Sequence, residues 1–183
     1  MSDAHQIVKL LRLIRHDWIN EIQLIKANLD LNRVDRASEI LDMIISKAKN
    51  EAELSNLGSP KFASLLLTYN LERPAVVLDF EVIGNQAESP NLAAYDEALF
   101  HFFKECFAYL NEINGSYDEA NMTLMIDHQR DDVKFTLDFV GNIVEPEQAM
   151  AYFTKLASNH SWAFDTQYIH NEEVVFAFSI RHN

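Results

Sequence analysis

His16 is the residue whose setting invites chemistry. It stands near the middle of the stretch 7–31, IVKLLRLIRHDWINEIQLIKANLDL. There Ile7, Leu11, Ile14, Trp18, Ile22, Ile25 and Leu29 recur at steps of three and four, the period of an amphipathic helix close to a heptad seam. At roughly 100° per residue these seven lie within about 40° of one axis, and His16 lies about 160° from it. The helix therefore buries one side and holds an imidazole out on the other, on a strip shared with Lys9, Arg12, Asn20 and Gln23.

A histidine on the water side of a helix can be inert surface, a metal ligand or a nucleophile. Nothing supports the metal: no His or Cys follows at i+4, and the chain has no CxxC or HxxxH. Imidazole suits phosphoryl transfer, because near neutral pH much of it is unprotonated and carries a free lone pair. A phosphoramidate formed there stays reactive enough to be passed on. The residue must be exposed, since a second molecule has to meet it in line. Lys9, Arg12 and Arg15 cluster one to two turns before His16, a basic patch that suits an anionic partner or a phosphoryl group. Among other histidines, His5 shares the face but sits at a helix end without the flanking pattern. His101 lies inside an apolar helix, and His128, His160, His170 and His182 fall in loops or at the end.

Two helices must position this strip. The first is expected from a cap at Asp3 to about residue 31, followed by a polar turn, Asn32-Arg33-Val34-Asp35. Asp35 is placed to cap a second helix, whose apolar positions are Val34, Ala37, Leu41, Ile44 and Ala48. That helix runs weakly on to Leu54 and stops before Gly58-Ser59-Pro60. Two helices joined by so short a turn form an antiparallel hairpin. A second apolar set on the first helix, Leu10, Leu13, Leu24 and Leu31, is more than one partner helix covers. Pairing of two hairpins into a four-helix bundle, a homodimer, is the simplest remedy, and cover by the C-terminal domain is the alternative.

The rest reads as an α+β domain: a short helix over 61–72, a strand over 76–83 closed by Gly84-Asn85, a loop to residue 91, and a helix over 95–113 ending at Asn114-Gly115. Strands follow at 122–127 and 133–140 around Gln129-Arg130-Asp131-Asp132, then a helix from Pro146 to about Ser158, and strands at 164–169 and 174–180. The expected product is a mixed sheet with helices on one face. The domains divide as 1–58, the helical hairpin, and 59–183, the α/β part.

The 183 residues carry a net charge of −13, unevenly spread. Residues 1–58 hold 8 Lys/Arg against 9 Asp/Glu, a net of −1; residues 59–183 hold 7 against 19, a net of −12. That balance argues against nucleic acid as a partner. No run of 18 apolar residues and no signal-peptide pattern is present, so no membrane association is expected and the default location is cytoplasmic. The single Cys106 excludes an internal disulfide and reads as a core thiol on an apolar stripe.

His16-Asp17-Trp18-Ile19-Asn20, followed by Gln23-Leu24-Ile25-Lys26 and Asn28-Leu29, resembles the phosphoryl-accepting helix of the sporulation initiation phosphotransferase B family. The likeness continues through Asp35-Arg36 and Leu54-Ser55-Asn56-Leu57, covering about residues 8–58. It is similar also to the wider His-Asp-x-x-Asn pattern of histidine-kinase dimerisation helices. The resemblance implies a dimeric four-helix bundle carrying a C-terminal domain like a degenerate histidine-kinase ATPase domain. His16 matches the phosphorylated histidine. It would take phosphate from the aspartyl phosphate of one response regulator and give it to the aspartate of a second, a sporulation regulator. Arg12 and Arg15 would touch the regulator or its phosphate oxygens, and Asn20 the phosphoryl group. Gln23 lies on the same strip. Asp17 would orient the imidazole, although an i+1 residue does not naturally face its neighbour. Mg2+ is expected in the partner's acidic cluster, and this chain is expected to hold no cofactor and no metal of its own.

A kinase-type nucleotide site is disfavoured. The chain has only four glycines, Gly58, Gly84, Gly115 and Gly141. Asp138-Phe139-Val140-Gly141 stands where an Asp-x-Gly-x-Gly loop would begin, but Asn142 and Ile143 do not complete it, and Asn111 stands alone near the end of its helix. Neither a Walker loop nor a nucleophile elbow occurs. The first expectation is thus a phosphotransferase that is not an ATP-dependent kinase. The second is a non-enzymatic dimeric adaptor that binds a regulator, and the third an autokinase.

Overall fold

The computed structural model describes residues 3–84, 90–114, 120–128, 132–160, 162, 164 and 166–181. The expected turn residues Asn85, Gly115 and Gln129-Arg130-Asp131, the side chain of the expected cap Asp3, and His182 lie outside them. Helix α1 runs Asp3–Asp30 and α2 Val34–Asn56. Between them Asn32 takes a left-handed conformation, φ 56°. The Arg33 N–H returns to the Asn28 carbonyl, and the Arg33 carbonyl accepts from Ala37 N–H at 3.1 Å. Helix α2 therefore starts a residue before the expected cap. Asp35 lies inside its first turn, where a carboxylate favours the positive helix end without capping it.

The chain divides into two compact units, Met1–Ala52 and Glu53–Asn183. In the first, Glu21 and Lys47 pair across the hairpin at 3.6 Å. Its buried residues, Asn28, Ala37 and Ile40, gather near the turn, with the Asn28 amide donating to the Leu24 carbonyl at 2.9 Å. The shielded stripe of α1 is Leu10, Leu13, Glu21, Ile25 and Asn28. That stripe is turned about 75° from the predicted seam axis. The expectation that Leu10 and Leu13 would be surplus is thus corrected. They belong to the shielded stripe, whereas Ile7, Leu11, Ile14, Trp18, Ile22 and Leu29 stay between 40 and 56% exposed.

The second unit opens with the last turn of α2, whose Leu54, with Leu57, is wholly buried in its core. Helix α3 (Pro60–Tyr69) continues as a 3-10 turn, Asn70–Glu72. Strand β1 (Val77–Gly84), helix α4 (Asp96–Ile113), strands β2 (Asn121–His128) and β3 (Asp132–Val140), helix α5 (Pro146–Asn159) and strands β4 (Thr166–Ile169) and β5 (Glu173–Arg181) follow. The sheet order is β1-β2-β3-β5-β4, with β1 parallel to β2 and every other pair antiparallel. Alternation places Met122, Leu124, Ile126, Phe135, Leu137, Phe139, Phe176 and Phe178 in the core, and leaves Asn121, Thr123 and Met125 on the open face. Helices supply Phe62, Phe102, Phe103, Phe107 and Phe153 to the same core. Each buried phenylalanine contributes about 1.5–3 kcal/mol by area removed from water. The last hairpin starts later than expected, because Phe164 packs on Phe176 with centroids 4.8 Å apart instead of entering β4.

Candidate functional site

His16 sits halfway along α1 with its side chain 64% exposed. Its Nδ1 lies 3.2 Å from Asp17 Oδ1 and 3.2 Å from Asn20 Nδ2. Among the described residues nothing hydrogen-bonds Nε2. Asp17 does reach the ring, against the expectation from i+1 geometry: its short carboxylate reaches the near side of its neighbour's ring at the helix surface. Asn20, one turn on, arrives by the ordinary i+4 route. The side chains thus gather on one edge of the imidazole and leave the other edge to solvent.

Arg12, Arg15 and Gln23 are exposed on α1, and none makes an ion pair or hydrogen bond among the described residues. The structure therefore gathers Asp17 and Asn20 on the histidine, and leaves the three longer side chains free to meet something else. Guanidinium groups without prior commitments are suited to binding phosphate or carboxylate oxygens. Among the described residues no group of three or more His, Cys, Asp or Glu side chains is placed to hold a metal ion. No helix among them is long and apolar enough to cross a membrane.

The other reactive types are committed elsewhere. His101 Nε2 lies 3.2 Å from Glu97 Oε1, and Lys61 Nζ bonds the same carboxylate through its other oxygen. His160 stacks on Trp162, and its burial lowers its pKa. His128 is buried against Gly84, where an added Cβ would run into its ring. Cys106 is buried, and desolvation pushes its thiol pKa well up.

The segment after Asp138 is pinned rather than open. Gly141 N–H donates to the Glu172 carbonyl at 3.0 Å, Asn142 N–H to Asn114 Oδ1 at 3.2 Å, and Ile143 N–H to the Asn171 carbonyl at 2.7 Å. Three consecutive donors that a phosphate cradle would need are spent inside the protein. Gly141 is required for packing, since a Cβ there would strike the Phe139 ring and Asn114 Oδ1. Asn111 bonds Val76 N–H, Tyr69 Oη and the Phe107 carbonyl.

Residues 58–181 match the family model described as sporulation initiation phosphotransferase B, C-terminal, and residues 1–57 match that of the Spo0B-type sensor-kinase alpha-helical domain. A Bacillus subtilis (strain 168) protein, sporulation initiation phosphotransferase B, is 35% identical over 145 residues, spanning 78% of this chain and 74% of that one. Among solved structures, the Acinetobacter baumannii histidine kinase AdeS covers 92% of this chain and 98% of its own at 9% identity and a TM-score of 0.43. The catalytic domain of histidine kinase ThkA covers 70% and 93% at 12% identity, also with a TM-score of 0.43. Matches that run through both the helical hairpin and the sheet domain, joined to a relative alike over three quarters of its length, place this chain in the sporulation initiation phosphotransferase B family.

Proposed function

We propose that this protein is a phosphorelay phosphotransferase in which His16 accepts a phosphoryl group from the aspartyl phosphate of one response regulator. His16 then passes it to the aspartate of a second, which controls sporulation. The observation that carries the reading is the open Nε2 edge of an imidazole whose Nδ1 edge is held by Asp17 and Asn20. Nε2 attacks phosphorus and the bond to the donor carboxylate oxygen breaks. The ring becomes a phosphorylated imidazolium that keeps its Nδ1 proton, and the donor aspartate leaves as carboxylate. Asp17, accepting from Nδ1–H, stabilises that cation, so it favours the product ring over the neutral one. The reverse attack, by the second regulator's carboxylate, uses the same charge distribution.

Arg12 and Arg15 meet the acidic pocket of the receiver domain or the phosphoryl oxygens, and Gln23 extends the contact along α1. Asn20 contacts the incoming phosphoryl group. Mg2+ belongs to the receiver. The exposed seam Ile7, Leu11, Ile14, Trp18, Ile22 and Leu29 pairs with a second hairpin, giving a homodimeric four-helix bundle with His16 on its outer surface. The second unit is a scaffold without a nucleotide site, consistent with the spent donors at Gly141, Asn142 and Ile143. The protein works in the cytoplasm, with no nucleic-acid or membrane partner.

Incubation with a receiver domain carrying labelled aspartyl phosphate tests the reading. An acid-labile, base-stable label that appears on the protein and vanishes in His16→Ala is the expected result, with onward transfer to a second receiver. Binding of the receiver without any label would mean a non-enzymatic adaptor. Labelling by ATP alone would mean an autokinase.

A further inference from the structure

Asp17 stands on the side of α1 that carries the shielded stripe. At roughly 100° per residue its Cα lies within about 25° of the centre of that stripe, Leu10, Leu13, Glu21, Ile25 and Asn28. Its carboxylate nonetheless reaches sideways to His16 Nδ1 at 3.2 Å. Lys47 of α2 brings a positive charge to the same side. It follows Asn32, the left-handed turn residue, by fifteen positions; Asp17 precedes Asn32 by fifteen and Glu21 by only eleven. In an antiparallel hairpin the Lys47 backbone therefore stands level with Asp17. Its ammonium goes elsewhere. Helical side chains lean towards the N-terminus of their own helix, which for α2 is the end at the turn. Lys47 Nζ accordingly meets Glu21 Oε1 at 3.6 Å, one helical turn nearer the hairpin bend than Asp17.

We infer that Glu21 is a positioning residue for His16: it occupies Lys47 and so leaves the Asp17 carboxylate to the imidazole. Asp17 and Glu21 are i, i+4 neighbours, so a lysine released by one carboxylate finds the other within the span of its flexible stem. An ammonium binds a carboxylate more strongly than a neutral imidazole N–H does. Lys47 paired with Asp17 would draw that carboxylate off the ring and cancel the negative charge that supports the imidazolium. Glu21 acts on the ring only through Lys47 and Asp17. The consequence for transfer rests on the reading proposed above, but the competition for Asp17 does not.

The test is a double-mutant cycle of Glu21→Gln and Lys47→Met in the full protein at pH 8. Two measures follow His16: the 15N shifts of its ring, and its carbethoxylation by diethyl pyrocarbonate, scored by peptide mass spectrometry. Glu21→Gln keeps the shape of the side chain and releases the lysine. It should slow carbethoxylation about two- to ten-fold, as for loss of one hydrogen bond of ordinary net strength, and move the ring shifts. Adding Lys47→Met should restore both, because no ammonium is left to take Asp17. Asp17→Asn should slow the reaction by itself and abolish any further effect of Glu21→Gln. All three side chains are partly or largely exposed, so the variants keep the fold, which far-UV circular dichroism checks. Rates and shifts unchanged by Glu21→Gln, or a loss that Lys47→Met fails to restore, would overturn the inference. A cycle that closes as expected, in a protein that takes no label from a phosphorylated receiver, would support the positioning role and overturn the transfer reading.

Discussion

Replacing the half-buried Asp96 by alanine should destabilise the second unit. Asp96 lies in the first turn of α4, yet its carboxylate serves a different helix. Oδ1 accepts from Ser59 Oγ at 3.0 Å, from Lys61 N–H at 2.9 Å and from Phe62 N–H at 3.0 Å, and Oδ2 lies 3.2 Å from Lys61 N. Pro60 has no N–H, so these are the orphan donors at the start of α3, capped from a residue more than 30 positions away instead of by Ser59. Loss of such a cap costs about 0.5–2 kcal/mol. The buried Ser59 hydroxyl, left without its charged acceptor, adds about 1–3 kcal/mol. The two overlap, and about 2–4 kcal/mol is expected in sum. With a urea m-value of about 1–3 kcal/mol/M, the midpoint followed by tryptophan fluorescence should fall by about 1–2 M at unchanged m. Asp96→Asn keeps one oxygen acceptor and should lose about half as much. A midpoint within 0.3 M, roughly 0.5 kcal/mol, of the wild type for Asp96→Ala would refute the cap as the joint between α3 and α4.

Trp18→Ala and Ile22→Ala should each weaken self-association by about 30- to 1,000-fold in Kd if the open seam of α1 is a pairing surface, read by sedimentation velocity over a concentration series. Because both side chains are more than half exposed within one chain, folding of the single hairpin should change little; association unchanged in both variants would leave the seam without that role. Cys106 should resist iodoacetamide in the native state from pH 7 to 9, because burial raises the thiol pKa and keeps the reactive thiolate from forming. Its labelling should follow global unfolding, and fast native labelling that tracks pH would contradict the burial.

The α-helices and strands described in the second unit were legible in alternation, periodicity and Gly/Pro punctuation, because those signals report a single buried face, whereas the 3-10 turn Ala93–Tyr95 was not. The apolar stripe of α1 was legible too, but not its use. A heptad pattern says where apolar side chains gather and is silent on which helix covers them. In the structure Leu10, Leu13, Ile25 and Asn28 are the shielded positions of α1, and the stronger stripe stays open. The exposure of His16 survived that error for a geometric reason: it stands about 160° from one stripe and about 125° from the other, so either packing leaves it in water. Contacts over long sequence distances were not legible. Nothing near Ser59 announces that Asp96 will cap α3, and Asn111 looks like an isolated helix residue until it is seen bonding Val76, Tyr69 and Phe107.

The Asp17 contact was expected only from the family resemblance and ran against helix geometry, for a different reason. Neighbour rules on helices are stated for side chains that point along their own Cα–Cβ direction, three or four residues apart. A one-carbon carboxylate beside a ring with a nitrogen at its near edge needs no such spacing. Once Asp17 and Asn20 are both on Nδ1, one acceptor and one donor meet the same atom, and the ring's single proton must choose between them. If His16 carries the proposed transfer, its exposure lets a partner reach it, and a ring proton held on Nδ1 by the Asp17 carboxylate leaves Nε2 as the nucleophile that partner meets.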